Sequence, residues 1–151
     1  MQKITPFLWF DNNAEEAVSF YASIFKDTKI TGTNRVAGKV LTINFELDGR
    51  PYIALNGGPH YKFNEAFSLF VSCETQQEVD DLWAKLSAGG SGEQCGWLKD
   101  KFGLSWQVVP KILIQLLGDP DPAKSNAVLQ AMLKMKKIVI ADLRAAHQAA
   151  A

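Results

Sequence analysis

Two stretches of this chain carry the same apolar pattern 62 positions apart. Ala17, Phe20, Tyr21 and Ile24 answer to Val79, Leu82, Trp83 and Leu86 (79 − 17 = 62). Each set has the i, i+3, i+4, i+7 spacing of one helical face. The strand before each helix repeats at the same offset, Phe7 with Leu69 and Trp9 with Val71. A self-similar period of this length marks a repeated supersecondary unit. The 151 residues are therefore predicted to form one domain of two βαβββ modules, at about 3–58 and 65–110, with a helical tail at about 119–150. Hairpins join the strands after each helix, so a crossover helix occurs once per copy. That makes the class α+β, not doubly wound α/β.

The local signals agree with this division. Ile4 to Phe10 reads as a strand, and Asn13 with Glu16 resembles a capped helix start running to Phe25. Strands follow at Lys29–Val36, Val40–Leu47 and Pro51–Asn56, with Asp48-Gly49 as a tight hairpin turn. In the second copy Ala66–Ser72 reads as a strand, and Thr75 with Glu78 forms a capping box. Gly89-Gly90 ends that helix. A strand is expected around Glu93 to Leu98. After the turn Asp100-Lys101-Phe102-Gly103, Leu104 to Val109 forms the last one. Alternation there puts Leu104, Trp106 and Val108 on one face, with Ser105, Gln107 and Val109 on the other. Pro122 suits the first turn of a tail helix carrying Val128, Leu129, Met132 and Leu133. A second helical piece lies around Ala141 to Ala150, and this tail is expected to dock on the domain or on a partner subunit.

Charge excludes some functions. Sixteen basic and sixteen acidic residues cancel, which gives no field to recruit nucleic acid or an anionic membrane. The cluster Lys134, Lys136, Lys137 reads as a solvated helix face. No apolar run is long enough to span a bilayer, and MQKITPFLWF lacks the order of a signal peptide. A cytoplasmic protein is expected. Cys73 and Cys95 have neither CxxC nor zinc spacing, and read as buried thiols. Cys95 has no basic neighbour in sequence to activate it as a nucleophile. His60 and His147, the two histidines, fall in a loop and an alanine-rich tail and read as exposed residues.

Several motifs in order resemble one family. They are Pro6-Phe7-Leu8-Trp9-Phe10-Asp11, Ala14-Glu15-Glu16-Ala17 with Phe20-Tyr21, Phe45-Glu46-Leu47-Asp48-Gly49, and Ala54-Leu55-Asn56-Gly57-Gly58-Pro59. Phe63-Asn64-Glu65-Ala66, the run from Cys95 to Pro110, Leu117-Gly118-Asp119-Pro120-Asp121 and Met135-Lys136-Lys137-Ile138 complete them. Together they resemble the PhnB-like family, also labelled 3-demethylubiquinone-9 3-methyltransferase-like, of the vicinal oxygen chelate superfamily. That superfamily includes glyoxalase I and the bleomycin- and fosfomycin-resistance proteins. The resemblance spans nearly the whole chain, tail included, and implies a homodimer.

In metal-using relatives, four inward-facing residues hold a divalent ion. The resemblance places these positions near Thr5, Ala54, Phe67 and Gln107. Ala54 and Phe67 offer no imidazole or carboxylate, so no metal is expected. The methyltransferase label implies S-adenosylmethionine. Yet no glycine-rich turn follows the first strand and precedes a helix, and no cofactor is expected.

Phe7, Trp9, Trp97 and Trp106 are core residues by default. In a superfamily whose sheets wrap a cavity they are equally candidates to line an apolar pocket, with Asn56 or Gln107 as polar anchor. The sequence thus points to a metal-free binder of a small apolar or aromatic molecule. Two alternatives stay open: a small-molecule enzyme, by methyl transfer or metal-assisted chemistry, and a dimeric structural module.

Overall fold

The computed structural model describes residues 3–150. Contacts divide the chain into two compact units, with the boundary between Phe63 and Asn64. The first runs β1 (Phe7–Phe10), α1 (Ala14–Ile24), β2 (Lys29–Val36), β3 (Lys39–Leu47) and β4 (Arg50–Asn56). The second runs β5 (Ser68–Cys73), α2 (Gln76–Ser87), β6 (Ser91–Gly92), β7 (Trp97–Lys99), β8 (Ser105–Pro110), α3 (Lys111–Leu117), α4 (Pro122–Leu133) and α5 (Ile140–Ala149). Among the described residues each unit holds one four-stranded sheet, ordered β1-β4-β3-β2 and β5-β8-β7-β6. In both, the first strand pairs parallel with the last and the other pairs are antiparallel. The repeat in the sequence is a repeat of topology. No described helix is long and apolar enough to cross a membrane.

In the first unit alternation sorts the sheet into two faces. Leu8, Phe10, Ile43, Phe45, Leu47 and Ala54 are buried, together with Ala14, Ala17, Val18 and Tyr21 of α1. Each large side chain so buried contributes about 1.5–3 kcal/mol. The other face carries Phe7 and Trp9, in register with Ile53 and Leu55, which in turn face Asn44 and Thr42. The expected Asn13 cap is absent: Asn13 makes no side-chain cap bond. The Ala14 N–H instead donates to Asn56 Oδ1 of β4 at 2.9 Å. A cap from a distant strand leaves no mark in local sequence.

In the second unit Leu98, Trp106, Val108, Cys73, Val79 and Leu86 are buried. Leu69 registers with Trp106 and Val71 with Val108, so both point to the core face. In the first unit it is Leu8 and Phe10 that point there. The offset of 62 holds for the helices (76 − 14 = 62) but is one short for the strands, where Leu8 matches Val71 and Phe10 matches Cys73. A one-residue slip exchanges the faces of a strand. The pairings of Phe7 with Leu69 and of Trp9 with Val71 are therefore corrected.

The capping box of α2 forms, with the Glu78 N–H donating to Thr75 Oγ1 (3.2 Å) and Glu78 Oε2 accepting from the Glu74 N–H (2.9 Å). The strand expected from Glu93 to Leu98 is instead broken by a turn. Cys95 (φ 60°) and Gly96 (φ 82°) occupy its centre, and the Trp97 N–H closes it onto the Gln94 carbonyl at 3.1 Å. Two successive positive φ values are the type I′ pattern that matches strand twist.

That turn also holds the tail. The N–H groups of Cys95 and Gly96 donate to the Met135 and Lys136 carbonyls at 2.8 and 2.7 Å. The Gln76 amide donates to the Ile138 carbonyl (2.9 Å) and accepts from the Ile140 N–H (2.7 Å). Lys137 pairs with Asp80 at 2.9 Å. So the lysine cluster is the linker between α4 and α5, not a solvated helix face. Val109, Leu113, Val128, Ile138 and Leu143 form a core of their own beneath it. Helix α3 is apolar nearly all round, so periodicity does not announce it.

His147 is not an exposed tail residue. Its Nε2 lies 2.7 Å from Asp119 Oδ2, tying α5 to the turn before α4. The Asp121 N–H first, then His147, hold the Asp119 carboxyl below its ordinary value of 3.8. A depressed carboxylate stabilises the fold above its unfolded value and loses that contribution as pH falls. Asp119→Asn is therefore expected to be less stable than wild type at pH 6, with the gap narrowing below pH 3.8 in urea titrations. A gap independent of pH would exclude this role.

Candidate functional site

Of the six candidate residues, three lie in each unit. In the first, Phe7 is 54% exposed and Trp9 half-buried on the face away from α1. The Trp9 indole lies over Gly57, where a Cβ would come within 2.4 Å of the ring. Its Nε1 donates to the Gly58 carbonyl at 2.9 Å, and Tyr61 meets it edge-on at 4.9 Å. Glycine at 57 thus serves the tryptophan, and Tyr61 joins an aromatic group that loop composition alone did not single out. Asn56 does not share this face. It registers with Phe10, on the α1 side. Its Oδ1 accepts from Ala14, and its Nδ2 donates to Glu15 Oε1 (2.7 Å) and to the Val40 carbonyl (3.0 Å). Asn56 anchors α1 and β3, so it is no partner for Trp9.

In the second unit Gln107 sits between two aromatics. Phe70 of β5 is in register with Gln107 of β8, and Gln107 with Trp97 of β7. These three form one row across the sheet, on the face opposite Trp106. Phe70 is 52% exposed, and Trp97 and Gln107 are half-buried. The Gln107 Nε2 donates to Ser68 Oγ at 3.0 Å, while its carbonyl oxygen accepts nothing among the described residues. In the next row Ser105 Oγ is buried without a hydrogen-bond partner. Phe70 was missed because an exposed aromatic on an edge strand resembles a core residue until the register is known.

Trp106 belongs elsewhere. It is 2% exposed, and its Nε1 donates to Asp100 Oδ2 at 2.9 Å. Asp100 Oδ1 accepts from the N–H groups of Phe102 (2.9 Å) and Leu104 (3.1 Å). This buried carboxylate closes the Asp100–Gly103 turn around the indole. Trp106 is thereby corrected from a candidate ligand contact to a core residue.

The metal positions can be tested one at a time. Ala54 is fully buried on the α1 face, in register with Leu8, and is replaced on the other face by Ile53 or Leu55. Shifting the strand offset by one moves the third position from Phe67 to Ser68. Thr5, Ile53 or Leu55, Ser68 and Gln107 then offer two hydroxyls, an amide and an alkyl chain. These do not fit a divalent cation, which takes imidazole, thiolate or carboxylate ligands. Among the described residues, no three His, Cys, Asp or Glu gather to hold one.

Both cysteines are free. Burial, and then the charge of Glu78, push the Cys73 thiol up to about 12. Thiolate is the reactive form. Iodoacetamide at pH 8 is expected to alkylate native protein at the half-exposed Cys95 and not at Cys73, as read by peptide mass spectrometry. Modification of Cys73 at a comparable rate would contradict this burial.

A profile of the 3-demethylubiquinone-9 3-methyltransferase family matches residues 2–109. The PhnB protein of Bacillus cereus is 34% identical, with a TM-score of 0.67 over 72% of this chain and 99% of that one. A Pseudomonas aeruginosa protein is 19% identical, with a TM-score of 0.60 over 73% and 98% of the two chains. The fosfomycin resistance protein FosX of Listeria monocytogenes, solved with Mn(II) and sulfate, is 13% identical, with a TM-score of 0.52 over 70% and 88%. The last two share the fold alone. A comparison with curated proteins gives no match. The family profile stops at 109, so the expectation that the match includes the tail is corrected: α3 to α5 lie outside it.

Proposed function

The chain belongs to the 3-demethylubiquinone-9 3-methyltransferase family, the PhnB-like branch of the glyoxalase/bleomycin-resistance superfamily, and from that premise we propose a metal-free binding protein for a small aromatic molecule. The observation that carries this reading is the row Phe70–Gln107–Trp97. Two aromatic side chains flank one amide whose carbonyl oxygen is free among the described residues. A planar ligand gains area and quadrupolar contact from the rings, and a hydrogen bond from the amide fixes its orientation. Phe7 and Trp9 offer a comparable apolar face in the first unit.

The metal-free part rests on the chemistry of the four carried-over positions. Stoichiometric divalent metal in protein purified without chelator would overturn it. The family name suggests methyl transfer, yet the segment between β1 and α1 is Asp11-Asn12-Asn13, without the glycine-rich turn that lets the backbone of a Rossmann-type site approach a bound nucleoside. The expected states are a cytoplasmic homodimer and no nucleic-acid partner. The net charge of zero supports the last, and light scattering tests the dimer.

Thermal-shift screening with aromatic metabolites, followed by tryptophan fluorescence titration, tests the binding. Trp97→Ala is expected to weaken an aromatic ligand about tenfold, near the upper range of one aromatic contact, with little change in melting temperature. Gln107→Leu should weaken ligands that donate a hydrogen bond more than those that do not. A stabilising response to S-adenosylmethionine alone would favour the transferase instead.

A further inference from the structure

We propose that the cleft between the β2–β3 hairpin and the start of α1 is a second binding site, for a small organic monoanion with an apolar body. The cleft has a volume of about 700 Å³ and belongs wholly to the first unit. That size suits a small organic molecule. Arg35 and Lys39 both line it. Neither has an ion-pair partner among the described residues, and the one contact of the Arg35 guanidinium is a 3.5 Å approach of Nη1 to the Gly38 carbonyl. The other N–H donors of Arg35 are left to a ligand, and a guanidinium fork matches a carboxylate.

The rest of the lining narrows the class. Val36 and Leu41 are 60% and 41% exposed at the cleft, an apolar wall that a bare inorganic anion leaves wet. Glu15 is the acid of the lining, with Oε1 held by the Asn56 amide at 2.7 Å. Two cations against one carboxylate leave a single positive charge, and a second negative charge on the ligand meets Glu15. Asn56 makes the floor rigid through its three bonds to Ala14, Glu15 and Val40. The floor is therefore in place before the ligand arrives, which lowers that part of the ordering cost on binding. Its lining residues all belong to the first unit and those of the Phe70–Gln107–Trp97 row to the second, and the assignment stands whether or not that row binds anything.

Isothermal titration of the full chain with cyclohexanecarboxylate, and with neutral cyclohexylmethanol, tests the assignment; the aliphatic ring gives the aromatic row nothing planar to stack against. The carboxylate is expected to bind wild type at least about tenfold more tightly than the alcohol at low salt. The double variant Arg35→Ala/Lys39→Ala should lose about tenfold or more for the carboxylate only, while Glu15→Gln should gain severalfold. Arg35 and Lys39 are exposed, so folding of the double variant is secured and checked by circular dichroism. Three results would each overturn the proposal: no binding of cyclohexanecarboxylate to wild type at millimolar concentration, equal binding of the alcohol, or indifference to the double substitution.

Discussion

Asp100→Ala is expected to destabilise the protein by about 3 kcal/mol, the largest effect of any single polar truncation considered for this fold. Asp100 is 2% exposed, and its carboxylate accepts from the Trp106 indole and from the N–H groups of Phe102 and Leu104. Removing it takes from the buried indole N–H its bond to Asp100 Oδ2 and opens the turn between β7 and β8. Each orphaned buried donor costs about 1–3 kcal/mol, and Phe102 and Leu104 recover part of theirs by admitting water. For a chain of this size the melting temperature should fall by about 6–12 °C. Asp100→Asn keeps one acceptor while adding a donor that faces other donors, so an intermediate loss is expected. Urea denaturation measures all three proteins. A loss below about 1 kcal/mol for the alanine variant would mean that the turn is held by packing alone.

Gly96→Ala should come close behind, at about 2–3 kcal/mol, for a different reason. Gly96 has φ 82°, where an L side chain is strained, and a Cβ there would lie 2.9 Å from the Val108 carbonyl oxygen and 3.1 Å from Ile138 Cγ1. The backbone cannot yield, so Ile138 must, and with it the tail core. The distinguishing readout is where the damage falls. Amide exchange should quicken in α5 and the 135–139 linker before it quickens in β1 to β4. Cys95→Gly is the converse case. It replaces a non-glycine residue at φ 60° within the same turn, and an unchanged or slightly raised stability is expected.

The sequence carried the architecture and misplaced much of the site, and both outcomes trace to period and register. Helical faces repeat at 3.6, so matching Ala17 to Val79 survives small differences in the connectors. Strands repeat at 2, and one residue fewer between β5 and α2 than between β1 and α1 exchanges the faces. That single residue sent the third metal position to Phe67 instead of Ser68 and hid Phe70 from view. Ala54 failed through a separate one-residue register error on β4, where Ile53 and Leu55 hold the other face. Asn56 and Trp106 failed differently. Each looked free in one dimension, and each is bonded across the fold, to Ala14 and Glu15 in one case and to Asp100 in the other. Trp97 and Gln107 fell on one face as alternation required, because the turn at Asp100–Gly103 sets their register locally.

The way the appendage of three helices is fastened has a consequence for tracing its ancestry. The linker is gripped at 135, 136 and 138 through carbonyl oxygens, which every amino acid possesses, so these bonds do not dictate its letters. The grip itself is made by an amide at 76 and an uncrowded backbone at 96, and neither tolerates exchange. Kin that share the extra helices should therefore be recognised by glutamine and glycine at those two places in the body of the chain, more surely than by anything spelled in the extension itself.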